Sequence, residues 1–212
     1  MKKTAIVMFL LTTMITGIQR VKGQSALENF KKKLSFGLKI EGNGSNFIIK
    51  DNSSLKSNAG AGAALGNFIR FNISEHFAIQ EDIMFVYYTS DLSQNGIKDQ
   101  FRYFGSEVPI YLMGQWKNAA GGRFFVGAGP YFGFGFSAKF KDANINAFKK
   151  YNGQTAMMKR LSNGAAANIG YELGNKLQIN ATYKYGLNSL DGDKDVYKLS
   201  PQSLAIGLGF TF

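Results

Sequence analysis

Hydrophobic and polar residues alternate along most of the chain after residue 33. In residues 176–187 every odd position from Leu177 to Leu187 is apolar, and the even positions are polar or Gly. A period of two is typical of a β-strand whose two faces meet different surroundings. The same alternation occurs in residues 34–41, 59–73, 76–88, 101–116, 123–138, 163–173 and 203–212. The sequence therefore predicts eight strands, most of them near or above the roughly 9–11 residues that cross a bilayer at a tilt.

The predicted connections between these strands alternate in length. Short connections lie at residues 74–75, 117–122 and 174–175, and long ones lie at residues 43–57, 89–100, 139–162 and 188–200. An even number of antiparallel strands, with short turns and both termini at one end, is the arrangement of an outer-membrane barrel. We therefore predict an all-β fold, an eight-stranded antiparallel up-and-down transmembrane β-barrel. Its closure leaves no strand edge unpaired in lipid.

The composition of the polar face indicates which face is inside, since a soluble barrel alternates as well. The polar face of the last strand consists of Ser203, Ala205, Gly207, Gly209 and Thr211. Such small residues suit a narrow barrel interior, whereas a water-exposed exterior normally carries more Lys and Glu. Aromatic residues also lie towards strand ends of the apolar face, as in the girdles of membrane barrels. The apolar face is therefore expected to contact lipid.

The first residues have the features of a secretory signal peptide. Lys2 and Lys3 precede an apolar run from Thr4 to Ile18, and Gly23 offers a small residue for cleavage. An uncleaved anchor would need about 20 apolar residues, more than this run contains. We expect residues 1–23 to direct Sec-type export and to be removed. Residues 24–33 are then a short extension, and residues 34–212 form the barrel.

Composition excludes several classes of protein. The chain has 212 residues, of which 45% are hydrophobic and 18% charged, with no Cys and one His. This excludes a disordered chain, a disulfide scaffold and thiolate chemistry. The net charge of +11 comes partly from the four basic residues before residue 24. The net charge is thus no evidence for nucleic-acid binding, and we expect no nucleic-acid partner.

Five segments resemble a known family. They are Phe36-Gly37-Leu38-Lys39, residues 78–83, residues 107–112, residues 127–131 and residues 183–187. Together they resemble the PorT-type outer-membrane β-barrel family of Gram-negative envelopes, over about residues 34–212. The resemblance implies an eight-stranded barrel, in a family whose members mostly lack an assigned activity. Glu81-Asp82 stands where the family more often has Pro-Glu, so Asp82 is expected inside and Glu81 towards lipid.

Eight charged residues occupy strand positions that are predicted to face the interior. They are Lys39, Glu41, Arg70, Asp82, Glu107, Arg123, Glu172 and Lys184. Charges in a narrow interior must be paired, because taking one out of water costs several kcal/mol. We expect a structural ion-pair network that, with aromatic residues such as Tyr111 and Tyr131, fills the lumen. A transport or proton-relay role and a narrow small-solute pore are the alternatives, whereas a wide diffusion pore is disfavoured in eight strands.

Catalysis has little support in the sequence. The single His, His76, lies beside the turn at residues 74–75, on the periplasmic side, where a barrel enzyme of the outer membrane would not place its base. Residues 191–195 space their acids like a calcium loop but lack its Gly and its final Glu. We therefore expect no enzymatic activity, no metal and no cofactor.

The longest connection is basic. Residues 139–162 contain Lys139, Lys141, Lys149, Lys150, Lys159 and Arg160 against the single acid Asp142. At the cell surface the nearest anions are the phosphates of lipopolysaccharide, so we expect this basic outer loop to contact them, along with outer-membrane lipid. Contact with an unknown extracellular ligand, as in a receptor or adhesin, and a plainly solvated loop are the alternatives.

The C-terminus carries an assembly pattern. Gly207, Phe210 and Phe212 resemble the terminal-strand signal that the outer-membrane barrel-assembly machinery recognises, although Ala205 departs from the usual polar residue. We expect export, assembly into the outer membrane and a monomeric state. The role expected from the sequence is structural or one of surface interaction.

Overall fold

The protein folds as the predicted eight strands. The computed structural model describes residues 30–50, 54–94, 96–142, 145–150, 156–188, 190 and 198–212. The strands are β1 Leu34–Lys50, β2 Leu55–Asn72, β3 Phe77–Gln94, β4 Ile97–Lys117, β5 Arg123–Phe140, β6 Leu161–Glu172, β7 Leu177–Gly186 and β8 Lys198–Thr211. No helix among the described residues is long and apolar enough to cross a membrane. The predicted signal peptide, residues 1–23, lies outside the described residues.

The strands close into one barrel in chain order. Each strand is hydrogen-bonded to its neighbours in the sequence, and β1 pairs with β8 in antiparallel register, from Gly37 opposite Thr211 to Lys50 opposite Lys198. The last residue continues this seam, since the Phe212 amide donates to the Phe36 carbonyl at 2.8 Å. Closure satisfies the backbone groups that an open edge would leave unpaired in lipid.

Polar side chains lie inside the barrel and apolar ones outside. Ile206 exposes 67% of its surface on the outer face, whereas the interior Arg70 exposes none. Successive side chains of a strand point to opposite faces, so the alternation of the sequence becomes this inside-out distribution. Asp82 is buried and Glu81, on the other face, is half-buried. The apolar outer face is suited to contact with lipid, and the polar side chains inside the barrel depend on one another for hydrogen bonds.

The barrel has two different ends. Residues 73–76, 118–122 and 173–176 are the short connections of one end, which also holds Phe212 and is called the turn rim. The opposite end is called the loop rim, and its described residues outside the strands are 54, 96, 141–142, 145–150, 156–160, 187–188 and 190. The prediction of long connections at residues 43–57 and 89–100 is therefore wrong.

The first two predicted loops are in fact extended hairpins. β1 and β2 continue to Lys50 and from Leu55, and β3 and β4 are separated only by Asn95-Gly96. Gly96 has a φ of +83°, a conformation that Gly adopts without steric cost. Asn-Gly is a preferred sequence for two-residue hairpin turns. The hydrophobic pattern did not reveal these strand extensions, because the contrast between the two strand faces is weak there.

Candidate functional site

The interior contains a cluster of ion pairs near the turn rim. Arg70 Nη1 lies 3.2 Å from Glu172 Oε2, and Arg123 Nη2 lies 2.6 Å from Glu172 Oε1. Gln178 and Thr211 also donate to Glu172 Oε2, at 2.6 Å and 3.0 Å. One carboxylate therefore joins side chains of β2, β5, β7 and β8.

Arg70 is held between aromatic rings as well. Its guanidinium carbon lies 5.5 Å from the centre of the Phe68 ring and 5.2 Å from that of the Phe125 ring. A guanidinium close to a ring face gains electrostatic attraction when it is desolvated. These rings and the carboxylate fill the interior at this level.

A second group of ions centres on Lys39. Its Nζ lies 2.9 Å from Glu41 Oε1 and 2.9 Å from Asp82 Oδ2, and all three side chains are almost fully buried. Gln80 connects this group to the first, because its amide donates to Asp82 Oδ1 at 2.7 Å and its carbonyl accepts from Arg70 Nε at 2.8 Å. The two groups therefore form one hydrogen-bonded network.

A third pair lies nearer the loop rim. Lys184 Nζ donates to Glu107 Oε2 at 2.6 Å, and the Tyr88 hydroxyl donates to the same oxygen at 2.8 Å. The Lys184 ammonium also lies 5.5 Å from the centre of the Tyr88 ring. The eight charged residues assigned to the interior from the sequence thus each lie within 4 Å of an opposite charge inside the barrel.

Aromatic and apolar residues fill the rest of the interior. Tyr111 is fully buried and Tyr131 nearly so, and both pack with Met113 and Phe125. Towards the loop rim a larger apolar cluster, called the plug, includes residues of the barrel wall and of the connections. Its members are Phe47, Ala64, Met84, Val86, Phe101, Tyr103, Ala138, Ala147, Phe148, Met158, Leu190 and Leu199.

The basic outer loop contributes to this plug, which the sequence did not predict. Phe148 and Met158 are buried, and the Phe148 ring packs edge-on against Tyr103 at 6.3 Å. Gly135 lies directly beneath the Phe148 ring, where a Cβ atom would collide with it. The available sequence signal was the inward phase of Phe101 and Tyr103 in the strand predicted at residues 101–116, which places two apolar rings in the lumen beside the loop.

The cations of the basic outer loop lie on its solvent side. Lys139, Lys141, Lys149, Lys150, Lys159 and Arg160 are all exposed. The Arg160 guanidinium is fixed in place, because its Nη1 donates to the carbonyls of Gly135 and Phe136 at 3.0 Å and 3.2 Å and its carbon lies 4.7 Å from the Phe148 ring centre. The loop segment thus presents an apolar side to the barrel and a basic side to solvent.

A cavity separates the plug from the Glu107–Lys184 pair. The space inside it that water molecules can occupy is about 40 Å³. Its walls are mainly apolar and aromatic, including Phe47, Tyr88, Phe101, Tyr103, Tyr131 and Leu190. The ion pair forms its polar floor.

The other residues considered for chemistry are dispersed. His76 lies exposed at the turn rim, with Nδ1 3.4 Å from the Gln115 carbonyl oxygen. Among the described residues no three His, Asp or Glu side chains are grouped as metal ligands. Residues 191–195, considered as a calcium loop, lie outside the described part of the chain.

The residues of the C-terminal assembly pattern have structural partners. The Phe210 and Phe212 rings meet edge-on at 5.8 Å on the outer face. Gly207 lies opposite Glu41, and a Cβ atom there would come within 2.6 Å of Glu41 Cγ. Glycine at this position makes room for the buried carboxylate.

Comparisons with known proteins agree with this architecture. A family model described as outer membrane protein beta-barrel domain matches residues 22–192. No curated protein matches the sequence. Among solved structures, the outer membrane protein OprG from Pseudomonas aeruginosa is similar, with a TM-score of 0.53 and 13% identity over 85% of this chain and 97% of OprG. Neisserial surface protein A is also similar, with a TM-score of 0.48 and 10% identity over 84% of this chain and 97% of that protein. At 13% identity the likeness to OprG concerns the fold.

Proposed function

This chain belongs to the outer membrane protein beta-barrel domain family, and from that premise we propose that it is a non-conducting, non-enzymatic barrel that acts at the cell surface. In outer-membrane barrels short turns face the periplasm and longer loops the outside. The turn rim is then periplasmic and the loop rim extracellular. Export through a cleaved signal, assembly by the barrel-assembly machinery and a monomeric state belong to the same proposal.

The filling of the interior is the observation that carries this proposal. Among the described residues, five ion pairs, the buried tyrosines and the plug occupy successive levels of the lumen. An eight-stranded barrel has an interior just wide enough for side chains. Such an interior stabilises the barrel and leaves its exposed loop rim as the surface for interaction.

The basic outer loop supplies that surface. Ala147, Phe148 and Met158 of the loop are packed into the plug. Its cations are exposed, and the Arg160 guanidinium is held in a fixed orientation. The phosphates of lipopolysaccharide are the anions closest to this rim, and each cation near an anionic membrane surface contributes about 1 kcal/mol. We therefore propose lipopolysaccharide as its partner.

A variant of this loop tests the proposal. Replacing Lys139, Lys141, Lys149, Lys150, Lys159 and Arg160 by Gln is expected to weaken binding of the purified barrel to lipopolysaccharide at least about 100-fold. The control replaces Lys31, Lys32, Lys33, Lys117 and Lys176, which lie outside the loop, and should bind like the wild type. Unchanged binding by the loop variant would contradict the proposal. A single cell-surface protein captured by the wild type and lost with the loop variant would favour the receptor alternative.

A narrow small-solute pore is the second candidate. Both side-chain amide atoms of Asn180, Oδ1 of Asn168 and the Tyr111 hydroxyl are buried and have no hydrogen-bond partner among the described residues. Buried polar groups are normally paired with protein or ordered water. These atoms mark the places where a small polar solute would find partners in the middle of the lumen.

A further inference from the structure

Two cations face each other across neighbouring strands at the outer end of the lipid-facing wall. Arg102 of β4 lies directly opposite Lys139 of β5, and both side chains are exposed. Like charges in directly opposed positions destabilise a sheet. Neither cation has an ion-pair partner among the residues that the structure describes. The pair is therefore unfavourable by itself and would be stabilised by an anion between its members.

One acid lies near these cations on the same face, because Asp91 of β3 is exposed opposite Gln100, two residues from Arg102. The outward positions of β4 from Lys98 to Trp116 include no acid, and the same holds for the outward positions of β5 and β6. Asp99, Glu107 and Glu172, the acids of these three strands, share the phase of the inward residues. The outer faces of β4, β5 and β6 thus carry positive charge and no acid, and Asp91 forms no ion pair with Arg102 or Lys139 among the described residues.

Arg160 lies at the loop rim on the plug side of these strands, because its guanidinium lies 4.7 Å from the centre of the Phe148 ring. It immediately precedes β6, and its guanidinium is held against the carbonyls of Gly135 and Phe136. Arg102 is likewise oriented, because its Nε donates to Gln100 Oε1 at 3.0 Å. Fixed guanidinium groups lose little side-chain entropy on binding, and their geometry matches phosphate.

An aromatic cluster lies beside the cations on the membrane side. Phe136 is at its centre, with ring centres 5.5 Å from Phe104, 5.7 Å from Phe134 and 6.4 Å from Phe85. All four side chains are exposed on the outer face. Phe104 lies two residues from Arg102 on the same face, which is about 7 Å along a strand.

The geometry points to a binding site for the phosphate of an outer-leaflet glycolipid on the outer face of β4 and β5, with Arg102 and Lys139 on the phosphate and acyl chains across the Phe136 cluster. The spacing of cations and rings along the strand fits an amphiphile whose charged head and apolar chains are adjacent. This inference rests on the proposed contact with lipopolysaccharide. It adds Arg102, which lies outside the basic outer loop, and a position at membrane level.

The test compares defined lipids on the folded barrel. Bisphosphorylated lipid A and its dephosphorylated form are each titrated into the full-length mature barrel in neutral-lipid nanodiscs, and retained lipid is counted by native mass spectrometry. We expect the wild type to bind the phosphorylated form selectively. Replacing Arg102 and Lys139 by Gln should weaken that binding at least about tenfold, as expected for losing hydrogen bonds to a charged group. Replacing Lys56 and Lys98 by Gln is the matched control and should have no effect.

A charge reversal separates binding from folding. Arg102→Glu creates an ion pair with Lys139, so we expect an unfolding midpoint equal to or above that of the wild type together with loss of lipid A binding. Any of three results would overturn the site. They are equal binding of both lipid forms, full lipid A binding by the Arg102→Glu variant, and displacement of bound lipid A by millimolar inorganic phosphate. If the loop variant loses lipopolysaccharide while the Arg102 and Lys139 variant keeps it, this site is wrong and the proposed function stands.

Discussion

Lys39→Met is expected to reduce the free energy of unfolding by at least about 3–5 kcal/mol, the loss found when a buried ion pair is broken from one side. The substitution preserves the length of the side chain and removes the charge that Glu41 and Asp82 share. Two carboxylates would then remain buried with no cation in contact. Urea unfolding of the barrel in detergent micelles measures the difference.

Two comparisons show whether charge is the cause. Lys184→Met should cost less, because it leaves only Glu107, which keeps the hydrogen bond from Tyr88. Adding Glu41→Gln and Asp82→Asn to Lys39→Met should recover much of the stability, since neutral groups need no counter-ion. A triple variant no more stable than Lys39→Met, or a Lys39→Met barrel as stable as the wild type, would argue against a dry, paired interior.

Deleting Phe212 is expected to abolish most insertion into the outer membrane. The residue ends the C-terminal assembly pattern, packs against Phe210 and donates its amide to Phe36 at the seam between β8 and β1. An unpaired group at this seam would face lipid, which strongly disfavours open strand edges. The amount of heat-modifiable protein in isolated outer membranes is the measurement.

The control for that deletion removes chain at the other terminus. Deleting residues 24–29, which precede β1, should leave insertion near the wild-type level while the signal peptide is retained. If the Phe212 deletion reaches the outer membrane as efficiently as this control, the C-terminal strand is not the element on which assembly depends.

The sequence predicted the barrel well wherever its two faces meet different media. In β7 the alternation from Leu177 to Gly186 continues without a break, so the inward position of Lys184 followed directly. The end of β1 is different, because Asn43, Gly44, Ser45 and Asn46 are small or polar on both faces. Where a strand extends towards solvent, both of its faces carry polar residues, so the alternation with a period of two is no longer visible in the sequence.

Pairing and packing inside the barrel depend on contacts that a linear sequence does not show. The inward phase places Lys39, Glu41 and Asp82 in one lumen, but their distances follow from the register of β1 with its neighbours and from the closure of the barrel. The burial of Phe148 and Met158 depends on how the connection after β5 folds back over Tyr103. Neither residue belongs to a regular element whose period could have indicated its direction.

The family resemblance gave the correct general class. The match to the outer membrane protein beta-barrel domain confirms an outer-membrane β-barrel, whereas the narrower PorT-type resemblance stays a prediction. Glu81 and Asp82 occupy opposite faces of β3, as the alternation predicted.

The proposed role depends most on a lumen that is closed by its own side chains. Planar-bilayer recording of the purified mature barrel tests this directly, with a sixteen-stranded porin in the same membrane as the control for detection. We expect inserted protein, verified by heat-modifiable mobility, to give no large or stable openings at low voltage, because the ion pairs and the plug occupy the lumen. Large, stable open channels under these conditions would contradict the closed interior and favour a role in solute passage.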